Sequence, residues 1–161
     1  MAKHHFLVGA NALFTPRGRI NRLQFLLNFW ACVVVLWLIL QGVELLPDAL
    51  SDEVMAMLDQ PVTWLAMVLT VLLYYAMFCL MAKRLHDLSL TAWIALVLFA
   101  GITPILISFL GRDSIDPEDN LAGLLYMTSA LGNLLALVLG VILTVWPGQR
   151  GDNLYGPSPQ S

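Results

Sequence analysis

The sequence predicts an all-α integral membrane protein, a single domain over residues 1–161 built as a bundle of four transmembrane helices with both termini in the cytoplasm. Hydrophobic residues make up 59% of the chain, charged residues make up 12%, and mean hydropathy is +0.78. A soluble domain of this composition would expose large apolar patches, whereas lipid solvates them. Long apolar runs, separated by short charged segments, predict where the helices lie in the sequence.

Residues 1–21 form a basic cytoplasmic lead, and the first predicted helix covers residues 22–46. Asn21 is a suitable N-cap, and Gln24, three residues later, can complete a capping box. The apolar run that follows is too long for the hydrophobic region of a cleaved signal peptide. We therefore expect this helix to be retained.

The second predicted helix covers residues 62–84 and follows an acidic segment that can hold a short surface helix over residues 51–58. Lys83 and Arg84 lie in its last turn. Cations at that position complement the helix dipole, which gives both residues a structural reason to be there.

The third predicted helix covers residues 92–110, where Gly101 and Pro104 should kink or loosen it. The fourth covers residues 121–146, which is about 39 Å of helix against a hydrocarbon core of about 30 Å, so it should tilt. A short polar tail, residues 147–161, completes the chain.

Small side chains recur every four residues along the fourth helix and let another helix approach closely. The neighbour can belong to the same chain. It can also be a protein partner or a second copy, bound through the face of Gly132, Ala136 and Gly140. The row consists of Thr128, Gly132, Ala136, Gly140 and Thr144.

Charge is divided unequally between the two sides of the predicted bundle. The side with both termini carries seven Lys and Arg and two Asp, a net charge of +5, and the other carries one Arg and nine Asp and Glu, a net charge of −8. Basic residues stay in the cytoplasm beside inserted helices, so we expect a multi-pass protein of the bacterial inner (plasma) membrane with its basic side inside. The basic side holds Lys3, Arg17, Arg19, Arg22, Lys83, Arg84, Asp87, Arg150 and Asp152.

Three segments on the basic side, together with Arg150 directly before the third, form what we call the basic rim: RGRINRLQF (17–25), KRLHDL (83–88) and GDNLYGPSP (151–159). In this order they resemble motifs of the YhaH-like small bacterial inner-membrane proteins, the domain-of-unknown-function family 805. The resemblance covers nearly the whole chain and implies a membrane topology but no established activity. The chain departs from the family after KRLHD, where a "G-x-S-G-W" run is replaced by SLTAW (89–93), and a left-handed turn is harder to hold there without glycine.

The candidate site lies where ionisable groups gather on the basic rim, and four hypotheses concern it. In the first, Asp87 and Asp152 pair with arginines and fasten the tail under the bundle. In the second, the surplus positive charge binds an anionic lipid headgroup, a phosphate ligand or an acidic protein segment, with Tyr155 and Trp93 beside it. The candidate binding residues are Arg17, Arg19, Arg22, Lys83, Arg84, His86, Asp87, Arg150, Asp152, Asn153 and Tyr155.

The third hypothesis is an enzyme acting on a phosphate-bearing lipid, with His86 as general base oriented by Asp87 or, better, by Asp152. The fourth is a subunit of an oligomeric transporter, which is disfavoured because no acidic or basic residue lies in the middle of a predicted span. No serine-nucleophile motif, phosphate loop or metal-ligand spacing is present, and Cys32 and Cys79 lie inside apolar runs. We therefore assign no catalytic residue, metal or cofactor, and we do not expect nucleic acid as a partner. A small interaction or lipid-associating module is the favoured function.

Overall fold

The computed structural model describes residues 9–49, 51–99, 101–102 and 120–159. Over these residues the chain is mostly helical and forms no β-strand, apart from an isolated bridge between Asn153 and Gly156. A short 3₁₀ helix, η1, continues as α-helix over residues 97–99 and 101–102. The elements are α1 (Ala10–Leu13), α2 (Arg22–Ala49), α3 (Asp52–Asp87), η1 (Ala92–Leu96) and α4 (Asn120–Val145).

Three of these helices are long and apolar enough to cross a membrane, in the segments Arg22–Val43, Met57–Asp87 and Gly123–Val145. They make the chain a membrane protein by length and composition. Of the third predicted span, η1 and the helical residues after it are described. Residues 103–119, which include Pro104 and an acidic predicted loop, lie outside the described residues, as does Lys3.

The capping box predicted at the start of α2 is confirmed. The Oδ1 atom of Asn21 accepts a hydrogen bond from the Gln24 backbone N–H at 2.8 Å, and Gln24 Oε1 accepts one from the Asn21 N–H at 3.4 Å. Two backbone donors that lack a partner inside the helix are satisfied in this way. The capping box fixes the position at which the basic lead ends and the first membrane-spanning helix begins.

Helix α3 begins ten residues before the predicted start at residue 62 and continues through Pro61. The predicted surface helix over residues 51–58 is its first part. Proline in a helix interior removes one backbone hydrogen bond, and here the remaining bonds carry the helix past it. Its 36 residues give a length of about 54 Å, so α3 extends beyond a hydrocarbon core of about 30 Å.

The small-residue face of α4 packs against α2 within the chain. Ala136 is buried, and a Cβ atom at Gly140 would lie 2.7 Å from Cε1 of Phe29, which is itself fully buried. Beside this contact, the Trp30 indole N–H donates to Thr144 Oγ1 at 3.2 Å. Part of the face on which a partner was considered is therefore already occupied by α2.

The carboxyl ends of α3 and α4 meet at the same end of the bundle, where α2 begins. Arg84, in the last turn of α3, donates from Nε to the carbonyl of Leu143 near the end of α4 at 2.9 Å. Arg19, just before α2, reaches Asp87 at the end of α3. The three motifs of the basic rim thus come together at this end.

Candidate functional site

Helix α3 ends in a Schellman motif that shapes the middle segment of the basic rim. The Ser89 N–H donates to the His86 carbonyl at 3.1 Å, and the Leu90 N–H donates to the Leu85 carbonyl at 2.9 Å. Ser89 holds the left-handed position, with φ of 60°, where glycine is usual. Its hydroxyl donates to the Gln149 side chain and accepts from Asn153 Nδ2, so contacts with the tail support a turn that lacks glycine.

Asp87 joins the first and second segments of the rim to the start of the tail. Its Oδ1 atom accepts from Nε and Nη2 of Arg19 at 3.1 and 2.9 Å, and its Oδ2 atom accepts from Nη1 of Arg84. Its backbone carbonyl accepts from the Gln149 N–H at 3.0 Å. Asp87 is only 2% exposed, so these are desolvated charge-assisted contacts.

Arg84 caps the end of α4 from inside the bundle. It is 1% exposed, and besides Asp87 its guanidinium binds the carbonyls of Leu143 and Trp146. The last carbonyls of a helix have no intrahelical partner, and α4 has no basic residue in its own last turn. Arg84 supplies the missing donors to α4, whereas its position in the sequence predicted a role at the end of its own helix.

Arg19 fastens the tail to the same carboxylate. Its Nη1 atom donates to the Gly151 carbonyl at 2.8 Å and to the Gly156 carbonyl at 3.1 Å, and its Nη2 atom donates to the Gln149 carbonyl at 2.8 Å. The planar guanidinium thereby satisfies Asp87 and the tail backbone together. One side chain fixes the path of the chain after α4.

The tail makes two further contacts with the end of α3. Asn153 Nδ2 donates to the His86 carbonyl at 2.8 Å, and the Tyr155 ring stacks on the His86 imidazole with centroids 4.0 Å apart and planes 7° apart. At Gly148 the tail passes so close that a Cβ atom would collide with the Asp87 carboxylate. Only glycine fits at that approach.

Among the described residues, Asp152 does not form the predicted ion pair with an arginine. Asp152 is exposed, and its Oδ1 atom accepts from the Ser158 N–H at 3.0 Å, so it shapes the tail turn instead. The His–Asp pair considered for catalysis is not formed either. His86 places Nδ1 3.3 Å from the Gly18 carbonyl, while both Asp87 oxygens are held by Arg19 and Arg84.

The remaining predicted site residues surround this network. Lys83 is buried, whereas Arg17, Arg22 and Arg150 are exposed. Across the described ranges, the ion pairs within 4 Å are those of Asp87 with Arg19 and Arg84, and neither involves these three exposed arginines. Three cations of the rim therefore lack a carboxylate partner in the part of the chain that the structure describes.

Two pockets flank the network, and each is lined by at least one of these three arginines. The rim cleft, about 400 Å³, is lined by Arg22, Arg150, Gly148 and Ser158 together with the Asp87–Arg84 pair. The η1 groove, about 510 Å³, is lined by Arg17, His86, Tyr155, Trp93, Leu96 and Phe78 among others. No group of three His, Cys, Asp or Glu side chains suited to a metal ion occurs among the residues described.

A family model described as "Protein of unknown function (DUF805)" matches residues 13–157 of the chain. The matched range includes the first two rim motifs and most of the third. Comparison with curated proteins and with solved structures gave no match. The resemblance read from the three motifs is thus confirmed, and the chain belongs to the DUF805 family of proteins of unknown function.

Proposed function

We propose that this protein is a four-span module of the bacterial inner membrane that associates with anionic lipids through its basic rim, with both termini in the cytoplasm. The observation that carries the proposal is the set of three exposed arginines without a carboxylate partner at one end of the bundle. Arg17, Arg22 and Arg150 remain after Asp87 has neutralised part of the charge of Arg19 and Arg84. Arginine at a membrane surface is suited to lipid phosphate.

The direction of the helices supports a fourth crossing. Helices α3 and α4 both end at the rim, so they run in the same direction. The chain between them must therefore return to the opposite side before α4 begins. The segment that starts with η1, predicted to span over residues 92–110, is the natural candidate for that return.

The charge distribution supports a cytoplasmic rim. The described rim residues comprise six Lys and Arg and two Asp, a net charge of +4. Lys and Arg are retained on the cytoplasmic side of short membrane loops. The same side of a bacterial membrane presents anionic headgroups. Each Lys or Arg near that surface adds about 1 kcal/mol to the attraction between the protein and the membrane.

The observed contacts favour lipid association over the alternatives. The enzyme hypothesis placed Asp87 or Asp152 beside His86 to orient it, and both aspartates are engaged elsewhere. A transport path needs polar groups facing a cavity. Tyr74 donates to Asn133 Oδ1 at 3.1 Å, and Asn28 donates to the Gln24 carbonyl at 2.7 Å, so these polar side chains bind other protein groups.

The test is lipid retention by the full-length protein. We expect the purified protein in nanodiscs to bind phosphatidylglycerol in preference to phosphatidylcholine, measured by native mass spectrometry. The triple variant Arg17→Gln, Arg22→Gln, Arg150→Gln should lose at least about tenfold of that preference. Arg112→Gln, on the predicted opposite side, serves as the matched control. Equal binding of the two lipids by the unaltered protein would overturn the proposal, as would a triple variant that retains the preference.

A further inference from the structure

The η1 groove is lined by a polar set and an apolar set of residues. The polar set includes Arg17, His86 and Tyr155, and the apolar set includes Phe78 and Leu96; we call the regions beside them the polar end and the apolar end. His86 and Phe78 are eight residues apart on α3, which separates them by about 12 Å along the helix axis. The groove therefore runs from the basic rim toward the apolar middle of the bundle.

The polar end offers an arginine whose charge is not paired by any residue in the part of the chain that the structure describes. Arg17 is exposed and has no ion-pair partner in the described ranges. It precedes Gly18, whose carbonyl lies 3.3 Å from His86 Nδ1, and this contact holds Arg17 near the imidazole. The opposite ring nitrogen, Nε2, is directed away from that contact. The Arg17 guanidinium is a suitable donor for a phosphate oxygen. Because the Gly18 carbonyl accepts from Nδ1, Nε2 donates only in the imidazolium form, which a phosphate bound beside the ring would stabilise.

The apolar end is walled by aromatic and aliphatic side chains of two elements. The rings of Phe78 and Phe99 are in contact, with centroids 5.5 Å apart, which ties the helix after η1 to α3 at this depth. Trp93 stands 77% exposed at the side of the groove. An exposed tryptophan beside a basic residue is typical of the membrane interface.

We propose that the η1 groove binds one anionic glycerophospholipid, with its phosphate at Arg17 and His86 and an acyl chain along Phe78 and Leu96. This inference rests on the proposed lipid association and assigns it a site. Two other pockets in the described part of the chain each lack one half of what such a ligand needs. The rim cleft has no large aliphatic or aromatic side chain in its lining, and a third pocket, lined by Leu85, Ile94, Leu139 and their neighbours, contains no cation.

The experiment uses the full-length protein in nanodiscs and phosphatidylglycerol with a photoreactive diazirine in one acyl chain. We expect the label on peptides that contain Phe78 and Leu96. Arg17→Gln should weaken binding by about tenfold, the effect of one charge-assisted hydrogen bond. Leu96→Trp should reduce labelling by filling the groove, whereas Leu154→Trp, at a fully exposed position, should not. Unfolding temperatures in detergent without added lipid show whether each variant is folded.

Three results would overturn the inference. Label on other peptides would do so, and so would a folded Arg17→Gln variant with unchanged binding. Competition by glycerol 3-phosphate at the same concentration would identify a soluble phosphate ligand rather than a lipid.

If Arg22→Gln and Arg150→Gln together remove the preference for phosphatidylglycerol while Arg17→Gln does not, the groove is rejected and the proposed function stands. If the unaltered protein shows no such preference, both are rejected.

Discussion

Asp87 is the residue on which the rim network converges. A buried carboxylate is stable only when opposite charges and hydrogen bonds replace its water, and Arg19 and Arg84 provide both. The two arginines in turn bind backbone carbonyls of α4 and of the tail. Loss of the carboxylate charge would leave a desolvated guanidinium without its partner.

We therefore expect Asp87→Asn to lower the free energy of unfolding by about 3–5 kcal/mol, the usual effect of removing one member of a buried ion pair. Thermal unfolding of the purified protein in detergent measures the change. Asp152→Asn is the matched control, because Asp152 is exposed and has no ion pair with a described residue. If the two variants melt at the same temperature, Asp87 does not hold the rim together.

Residue types indicated that the rim would hold a charge network, but they did not identify which carboxylate would take part. Asp87 and Asp152 each lie close to an arginine in the sequence, Arg84 and Arg150, and only the approach of the tail decides between them. Asp152 begins a turn that uses its side chain for Ser158. The role of Arg84 was hidden for a related reason, since capping α4 depends on where a helix 59 residues later comes to rest.

At the scale of the helices, the contact of Gly140 with Phe29 sets how closely α4 approaches α2. Two α-helices in lipid are held together by packing. A small residue where they cross therefore contributes more to stability, by allowing close approach, than the burial of its own few atoms would. A methyl group at residue 140 would meet the edge of a ring that is fully buried and cannot easily move.

Gly140→Ala should therefore destabilise the protein by about 1–3 kcal/mol through overpacking. Combination with Phe29→Leu should recover part of the loss, and the coupling between the two sites can be obtained from unfolding measurements on the single and double variants. Gly42→Ala, at an exposed helical position with no atom within 4 Å of its added methyl, should be neutral or stabilising. Purely additive effects of Gly140→Ala and Phe29→Leu would contradict this contact.

Helix positions were predictable where a local signal marked them. The Asn21–Gln24 capping box lies within four residues of sequence and fixes the start of α2. The start of α3 carried a misleading signal, because Pro61 resembles a helix boundary and the residues before it are acidic. The loss of one backbone hydrogen bond at Pro61 costs less stability than the helical residues on either side of it provide.

At the scale of the whole molecule, the chain folds back so that its amino-terminal lead, the end of α3 and its tail meet. Segments as far apart as Arg19 and Gly156 are joined by hydrogen bonds. The apolar runs predicted a bundle, and the charge difference between its two ends predicted which loops share a side. Neither pattern specifies the contacts at the rim, which depend on the turn at Ser89 and on the close approach of Gly148 to Asp87.

The most direct test of the fold-back and of its proposed orientation is cysteine cross-linking in membranes. With Cys32 and Cys79 replaced by alanine, Ser89→Cys and Asn153→Cys should be joined by a short membrane-impermeant bismaleimide, since the native side chains are 3.1 Å apart. We predict efficient cross-linking in inverted inner-membrane vesicles and none in intact spheroplasts, with Ser51→Cys and Asn153→Cys as an unreactive control pair. Absence of the cross-link in inverted vesicles, or its formation in spheroplasts, would contradict a tail fastened under the bundle on the cytoplasmic side.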